Sequence, residues 1–179
     1  MRKLLILFAL LSFSLMNAQY HSGTIYFKNG ETKKGFIKKR NFDGIKFKEN
    51  KNSKTIIYDH NHITGYDTLI GYYRYKNEYK SSPILFELLT RGKINLYFLQ
   101  KSSYGFAIPG GSGATYGGGT SYIYFIEKGE RFMKLGYRVN KGNLFYFTDC
   151  PILIKKIKSK EIKGSNVYKI IDFYNTRCD

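Results

Sequence analysis

Hydrophobic and polar residues alternate along much of the chain beyond residue 22, as they do in half-buried β-strands. The first clear segment, residues 23–28, is followed by Asn29-Gly30, a pair typical of a two-residue type I′ hairpin turn. The short apolar run 85–89 fits either a strand or one helical turn. The same reasoning predicts strands at residues 35–38, 45–48, 55–58, 69–75, 94–98, 122–126 and 144–147.

The pattern changes near Pro151. Asp149-Cys150-Pro151 is typical of a helix start, because Asp can cap free N–H groups and Pro fits the first turn. Gly164-Ser165 then interrupts the chain before a second helix. That helix is indicated by apolar residues at helical spacing: Val167, Ile170, Ile171 and Tyr174. Residues 149–177 therefore predict a helical hairpin whose apolar faces close one side of a sheet.

The two cysteines, Cys150 and Cys178, lie at the start of the first predicted helix and at the end of the second. An antiparallel hairpin would bring these ends together. A disulfide between them would close a loop of 28 residues and stabilise the fold by about 3–4 kcal/mol. Two free thiols are the alternative, and a redox pair lacks the usual C-x-x-C spacing.

Together these elements predict an α+β, mainly β fold. Strands at this spacing, joined by turns rich in Gly, Asn and Asp, favour an antiparallel β meander, either open or curled into a partial barrel. The C-terminal helical hairpin completes it. The length of 179 residues fits a single domain, which we assign to residues 19–179.

The first eighteen residues have the layout of a secretory signal peptide: the basic start Met1-Arg2-Lys3, the apolar residues 4–16, and the small residue Ala18. The apolar run is shorter than the roughly 20 residues of a membrane-spanning helix. No later segment has that length either. We therefore expect cleavage after Ala18 and export to the periplasm, the outer membrane or the medium, with no transmembrane segment in the mature chain.

Composition narrows the class of protein. The 30 Lys and Arg residues outnumber the 13 Asp and Glu residues, giving a net charge of +17. With 42% hydrophobic and 17% aromatic residues, the chain is too apolar for a disordered tail. Two Cys residues are too few for a disulfide scaffold.

Segment 33–54 carries nine Lys and Arg residues against two acids, and Phe residues lie among the cations. Such a surface can bind polyanions. An exported protein rarely meets nucleic acid, so an anionic glycan or lipid surface is the better expectation. The alternative is compositional bias with solvated lysines, since Lys outnumbers Arg 23 to 7. The candidate residues are Lys33, Lys34, Lys38, Lys39, Arg40, Lys46 and Lys48.

Catalytic and metal-binding signals are weak. His60 and His62 form an H-x-H pair that on a strand would present two metal ligands, but a polar turn explains the segment equally well. Glu127 and Glu130, the closest acids, flank an apparent turn. No His follows His62 to complete a hydrolase triad. We therefore expect no metal, no cofactor and no enzymatic activity, with a small hydrolase as an alternative.

A glycine-rich stretch runs from Gly105 to Gly119, without the order of a nucleotide-binding motif. It predicts a hairpin loop. Phe106 and Tyr116 within it, and Tyr104 directly before it, are the candidate binding residues.

Several pieces of the chain resemble an uncharacterised family of small exported proteins of Bacteroidota. They are the junction Asn17-Ala18-Gln19, residues 91–97 (RGKINLY), residues 147–151 (FTDCP) and Tyr174-Asn175. The resemblance implies that the protein is exported, and it supports the fold predicted above more than any function. It carries over no catalytic or binding residue.

The sequence thus predicts an exported, non-enzymatic envelope protein. Its expected work is to bind another envelope component through aromatic strand faces and the glycine-rich loop. The alternative is binding of an anionic polymer or membrane surface through segment 33–54.

Overall fold

The computed structural model describes residues 20–40, 43–78, 82–102, 106–107, 115–116 and 120–178. They fall into two compact units, Met1–Tyr75 and Lys76–Asp179. The predicted signal peptide, residues 1–18, lies outside the described residues. The assignment of residues 19–179 to one domain stays a prediction.

The first unit is built from antiparallel strands in the order β6-β5-β1-β2-β3-β4. The predicted meander holds from β1 to β4, and β5 then pairs with the free edge of β1. The strands are β1 (His21–Phe27), β2 (Thr32–Lys39), β3 (Ile45–Lys48), β4 (Ile56–Tyr58), β5 (Ile63–Thr68) and β6 (Gly71–Lys76).

Two turns of this unit differ from the sequence prediction. Asn29-Gly30 does join β1 to β2, but only Gly30 has a positive φ, of 87°. The N–H of Phe27 donates to the carbonyl of Glu31 at 2.9 Å. The turn is therefore a three-residue loop with glycine in the left-handed position, not type I′. The strand predicted from residue 69 begins only at Gly71, and residues 69–70 form the β5–β6 turn.

One face of the first unit is apolar. Directly opposite residues in antiparallel strands project to the same face, and the pairs Ile37↔Phe47 and Lys39↔Ile45 place the buried side chains of β2 and β3 together. Gly35 lies on this face, where a Cβ would come within 2.6 Å of the Phe47 ring. The buried residues of the unit include Ile25, Ile37, Ile45, Phe47, Ile63 and Tyr66.

The second unit contains antiparallel strands in the order β12-β11-β8-β7. They are β7 (Ile84–Thr90), β8 (Ile94–Ser102), β11 (Thr120–Lys128) and β12 (Arg131–Gly136). Two short strands, β9 (Phe106–Ala107) and β10 (Thr115–Tyr116), pair with each other. A 3₁₀ helix (Lys141–Phe147) and the helices α1 (Pro151–Lys158) and α2 (Val167–Arg177) follow.

The structure decides between strand and helix for the short apolar runs. Residues 85–89 lie within β7, whereas the strand predicted at 144–147 is wrong because these residues end the 3₁₀ helix. That helix starts where the side chain of Asn143 accepts a hydrogen bond of 2.9 Å from the N–H of Asn140. Strands β5 and β12, and the short strands β9 and β10 in the predicted loop, were not predicted as strands.

The predicted helical hairpin is confirmed, and its apolar faces pack against the strands of the second unit. Leu153 of α1 and Ile170 of α2 are fully buried in one cluster with Ile94 and Leu96 of β8. Asn175 of α2 binds the backbone of Ile94, the first residue of β8, as another strand would. It accepts from the Ile94 N–H at 2.8 Å and donates to the Ile94 carbonyl at 2.9 Å.

Cys150 and Cys178 form a disulfide, with their Cα atoms 5.5 Å apart. The bridge joins the N-terminal end of α1 to the C-terminal end of α2, as the sequence positions predicted. Both residues are buried in the cluster that holds the helices to the strands.

The predicted fold class, α+β and mainly β with antiparallel strands and a C-terminal helical hairpin, is confirmed. Among the described residues, no helix is long and apolar enough to cross a membrane.

Candidate functional site

Four of the predicted lysines share one face of the first unit, opposite the buried one. Lys38 lies directly across from Lys46, and Phe36 directly across from Lys48. Lys34 is two residues from Phe36 on β2, so it projects to the same face. We call this set, Lys34, Lys38, Lys46 and Lys48 around Phe36, the basic face.

Successive side chains on one face of a strand are about 7 Å apart, and directly opposite Cβ atoms about 5 Å. The four ammonium groups are therefore anchored close together on two neighbouring strands. Lys34 and Lys46 are exposed and Lys38 and Lys48 are half-buried. Phe36 is half-buried between Lys34 and Lys38 on β2. The ring gives the face an apolar centre that is still open to solvent.

No carboxylate in the described part of the chain forms an ion pair with any of these four lysines. Asp67 projects to the same face, because Thr24 lies opposite both Asp67 and Lys34. However, it is engaged by Arg74 at 2.6 Å and by the Tyr26 hydroxyl at 2.8 Å. The nearby negative charge is thus already matched by Arg74.

Lys48 makes weaker contacts. Its Nζ lies 5.6 Å from the ring centroid of Tyr20 and donates to the carbonyl of Lys51 at 3.4 Å. Neither contact neutralises its charge.

Two other predicted cations of this segment, Lys33 and Lys39, do not join the basic face, and Arg40 follows the end of β2. Lys33 lies opposite Ile25, and Lys39 opposite Ile45, so both project to the other face. Lys39 places its Nζ 5.2 Å from the ring centroid of Tyr73. The N–H of Arg40 donates to the carbonyl of Gly44 at the β2–β3 turn.

His60 and His62 lie in the turn before β5, not on a strand, and each binds a different carboxylate. Nδ1 of His60 lies 2.5 Å from Asp43, which also accepts from the Tyr75 hydroxyl at 2.7 Å. Nδ1 of His62 lies 2.7 Å from Asp59. No group of three or more potential metal ligands occurs in residues 20–178 as far as they are described.

The two carboxylates that bind these histidines, Asp43 between β2 and β3 and Asp59 in the turn, are held as anions. Partial burial opposes ionisation of Asp43, but hydrogen bonds from His60 and Tyr75 outweigh it and lower its pKa. The hydrogen bond from His62, followed by that from the Asn61 N–H, lowers the pKa of Asp59 to about 2. The turn is therefore tied together by charge-assisted hydrogen bonds.

The candidate residues of the glycine-rich stretch are only partly described. Tyr104 lies outside the described residues, and for Phe106 and Tyr116 the description is limited to the backbone. These two are directly paired across β9 and β10. The prediction of a binding loop stays a prediction.

Glu127 of the second unit lies in a network of hydrogen bonds. Glu127 accepts from Lys76, from the Tyr97 hydroxyl at 2.6 Å and from the Asn95 amide at 3.1 Å. Burial opposes ionisation of Glu127, but these donors lower its pKa overall. Glu130, its neighbour in the sequence, is exposed in the β11–β12 turn.

A second network lies beside the disulfide. Lys128 binds both oxygens of Asp149, at 2.8 and 2.7 Å, and the Tyr174 hydroxyl donates to Asp149. Burial opposes the ionised form, but Lys128 and Tyr174 lower the pKa of Asp149 overall. The predicted role of Asp149 as a cap of α1 is thus replaced by an ion pair to β11.

Phe36 belongs to the basic face, but it was not among the binding residues predicted from the sequence. Its signal was the alternation of Lys34, Phe36 and Lys38 on β2, which places all three on one face.

The fold and this face together define a mainly β protein with an exposed, uncompensated cationic surface. Comparison of the chain with protein-family models, curated proteins and solved structures gave no match.

Proposed function

We propose that this is an exported, non-enzymatic protein that binds a polyanion of the cell envelope through the basic face. The observation that carries the proposal is the juxtaposition of Lys34, Lys38, Lys46 and Lys48 on two paired strands, with no acidic partner among the described residues. Like charges placed directly opposite one another destabilise a sheet. An external anion would relieve this repulsion.

The basic face suits a chain or surface that carries closely spaced anionic groups. Lysine contacts anions as a mobile point charge and does not require the planar geometry of arginine. Phe36 offers an apolar surface between the charges, against which a sugar ring or an alkyl group can pack. Phosphate, carboxylate and sulfate groups share the chemistry that this surface recognises.

The proposal is tested with heparin as the probe, by measuring affinity across a range of salt concentrations. Each cation that neutralises an anionic group contributes a slope of about −0.7 to −0.9 to log K against log salt, so four contacts predict about −3. Changing Lys34, Lys38, Lys46 and Lys48 together to Gln should remove most of this slope.

A matched variant separates a defined site from net charge alone. Lys28, Lys33, Lys51 and Lys54 belong to the same unit but lie in turns or on the other face. Changing these four to Gln lowers the net charge equally and should leave most of the slope. Equal losses in the two variants would contradict a binding site on the basic face.

A further inference from the structure

The β5–β6 hairpin ends in two aliphatic residues that the fold leaves in solvent. Leu69 is 89% exposed and Ile70 is 63% exposed. They are the two turn residues between Thr68 and Gly71, which pair directly. Tyr72, on the strand that follows, is 50% exposed. The hairpin tip thus presents two large aliphatic side chains to solvent.

The turn itself does not require these residues. Two-residue hairpin turns favour Asn, Asp and Gly, because these tolerate positive φ and solvent exposure. Neither Leu69 nor Ile70 has a positive φ. Nor does either residue belong to the buried core of the unit. Folding therefore gains little from two large aliphatic side chains at this position.

One lysine of the basic face, Lys38, lies beside the tip. Ile70 lines a cavity of about 150 Å³ together with Lys38 and with residues of the buried face, among them Ile37, Lys39 and Tyr73. Lys38 in turn faces Lys46 across β2 and β3. Asp67, at the end of β5, is already engaged by Arg74. An apolar tip beside the uncompensated Lys38 matches the two chemistries of an anionic membrane surface, apolar acyl chains and negative headgroups.

We propose that the β5–β6 tip inserts Leu69 and Ile70 into an anionic lipid bilayer, while lysines of the basic face contact the headgroups. The proposal rests on polyanion binding by the basic face and names the source of the anionic groups. A soluble glycan offers no apolar phase in which two aliphatic side chains can be buried. A bilayer does, and Lys38, which lines the same cavity as Ile70, can contact its phosphate groups.

The insertion is tested directly by fluorescence, because the chain contains no Trp. A Leu69→Trp variant of the full chain carries a single reporter at the tip. With vesicles of phosphatidylglycerol and phosphatidylcholine, its emission should shift to shorter wavelength and be quenched by acyl-chain spin labels. Phosphatidylcholine alone should give a much smaller response. A Trp that stays water-exposed on vesicle-bound protein would overturn the proposal.

A second measurement separates this proposal from the one on which it rests. The double variant Leu69→Ser with Ile70→Ser keeps every charge and should lower partitioning onto the anionic vesicles about 100-fold, about tenfold for each side chain. Its affinity for heparin should be unchanged. The matched control changes Leu89 and Ile152, which are 38% and 55% exposed, to Ser and should partition like the original protein. All variants retain the same N-terminal segment, so its contribution cancels.

The outcomes are distinct. Loss of vesicle binding with retained heparin binding in the tip variant supports membrane insertion. Unchanged vesicle binding in that variant overturns insertion but leaves polyanion binding in place. Absence of heparin binding in the original protein overturns the proposed function itself.

Discussion

Changing Lys46 to Glu should stabilise the first unit while weakening its binding to polyanions. Lys46 lies directly opposite Lys38, and neither has an acidic partner among the described residues. An opposite-charge pair at such a position contributes roughly 0.2–1 kcal/mol, and a like-charge pair costs a similar amount. Converting one into the other should raise the free energy of unfolding by about 0.5–1.5 kcal/mol.

The assay is urea denaturation at low and at high salt, followed by circular dichroism. Salt screens exposed charges, so the stabilisation should shrink at high salt. Lys54→Glu is the control, because Lys54 is exposed in the loop before β4 and has no lysine opposite it. The same Lys46→Glu protein should bind heparin more weakly than the Lys54→Glu protein.

A result in which Lys46→Glu destabilises the protein at low salt, or is indistinguishable from Lys54→Glu, would refute the reasoning. It would mean that the ammonium groups of Lys38 and Lys46 do not repel one another across the strands. An increase in stability with undiminished heparin binding would confirm the pairing but contradict the proposed role of the basic face.

Three further predictions concern the second unit. Replacing both Cys150 and Cys178 by Ala should lower the free energy of unfolding by about 3.5 kcal/mol, since the disulfide joins residues separated by 28 positions. Urea denaturation measures this loss, and an unchanged midpoint would contradict it. Asn175→Ala should lower the free energy of unfolding by about 1–3 kcal/mol, because it removes both hydrogen bonds to Ile94. Hydrogen exchange should show faster exchange of the Ile94 amide in this variant. The pKa of Glu127 is lowered on folding, so its contribution to stability is present above its unfolded pKa of about 4.3 and is lost as the pH falls through the lower, folded value. Glu127→Gln should flatten that acid limb of the pH–stability curve, and an identical limb in the variant would refute the assignment.

The C-terminal helical hairpin could be predicted because its signals are local. Pro151 and the spacing of Val167, Ile170 and Tyr174 act within one or two helical turns, and the structure places α1 and α2 there. The pairing of Cys150 with Cys178 followed from the hairpin, because antiparallel helices bring those ends together. The two hydrogen bonds of Asn175 with β8 carried no such signal, since they depend on where a distant strand lies.

Short apolar segments were harder, because a few residues do not distinguish a period of 2 from one of 3.6. Residues 144–147 form part of a 3₁₀ helix, and the hydrogen bond from Asn140 to Asn143 that starts it is a local polar contact. Leu69 and Ile70 continued an aromatic strand pattern, yet they form a turn. The direct pairing of Thr68 with Gly71 decides this, and pairing is a property of two segments.

The sequence by itself determined that the protein is rich in strands, ends in two helices and is basic. Alternation along β2 even separates Lys34 and Lys38 from Lys33 and Lys39, because successive side chains point to opposite faces. Only the tertiary structure decided that Lys46 and Lys48 join the first pair. That outcome depends on the register between β2 and β3, and a slip of one residue would have moved both to the buried face.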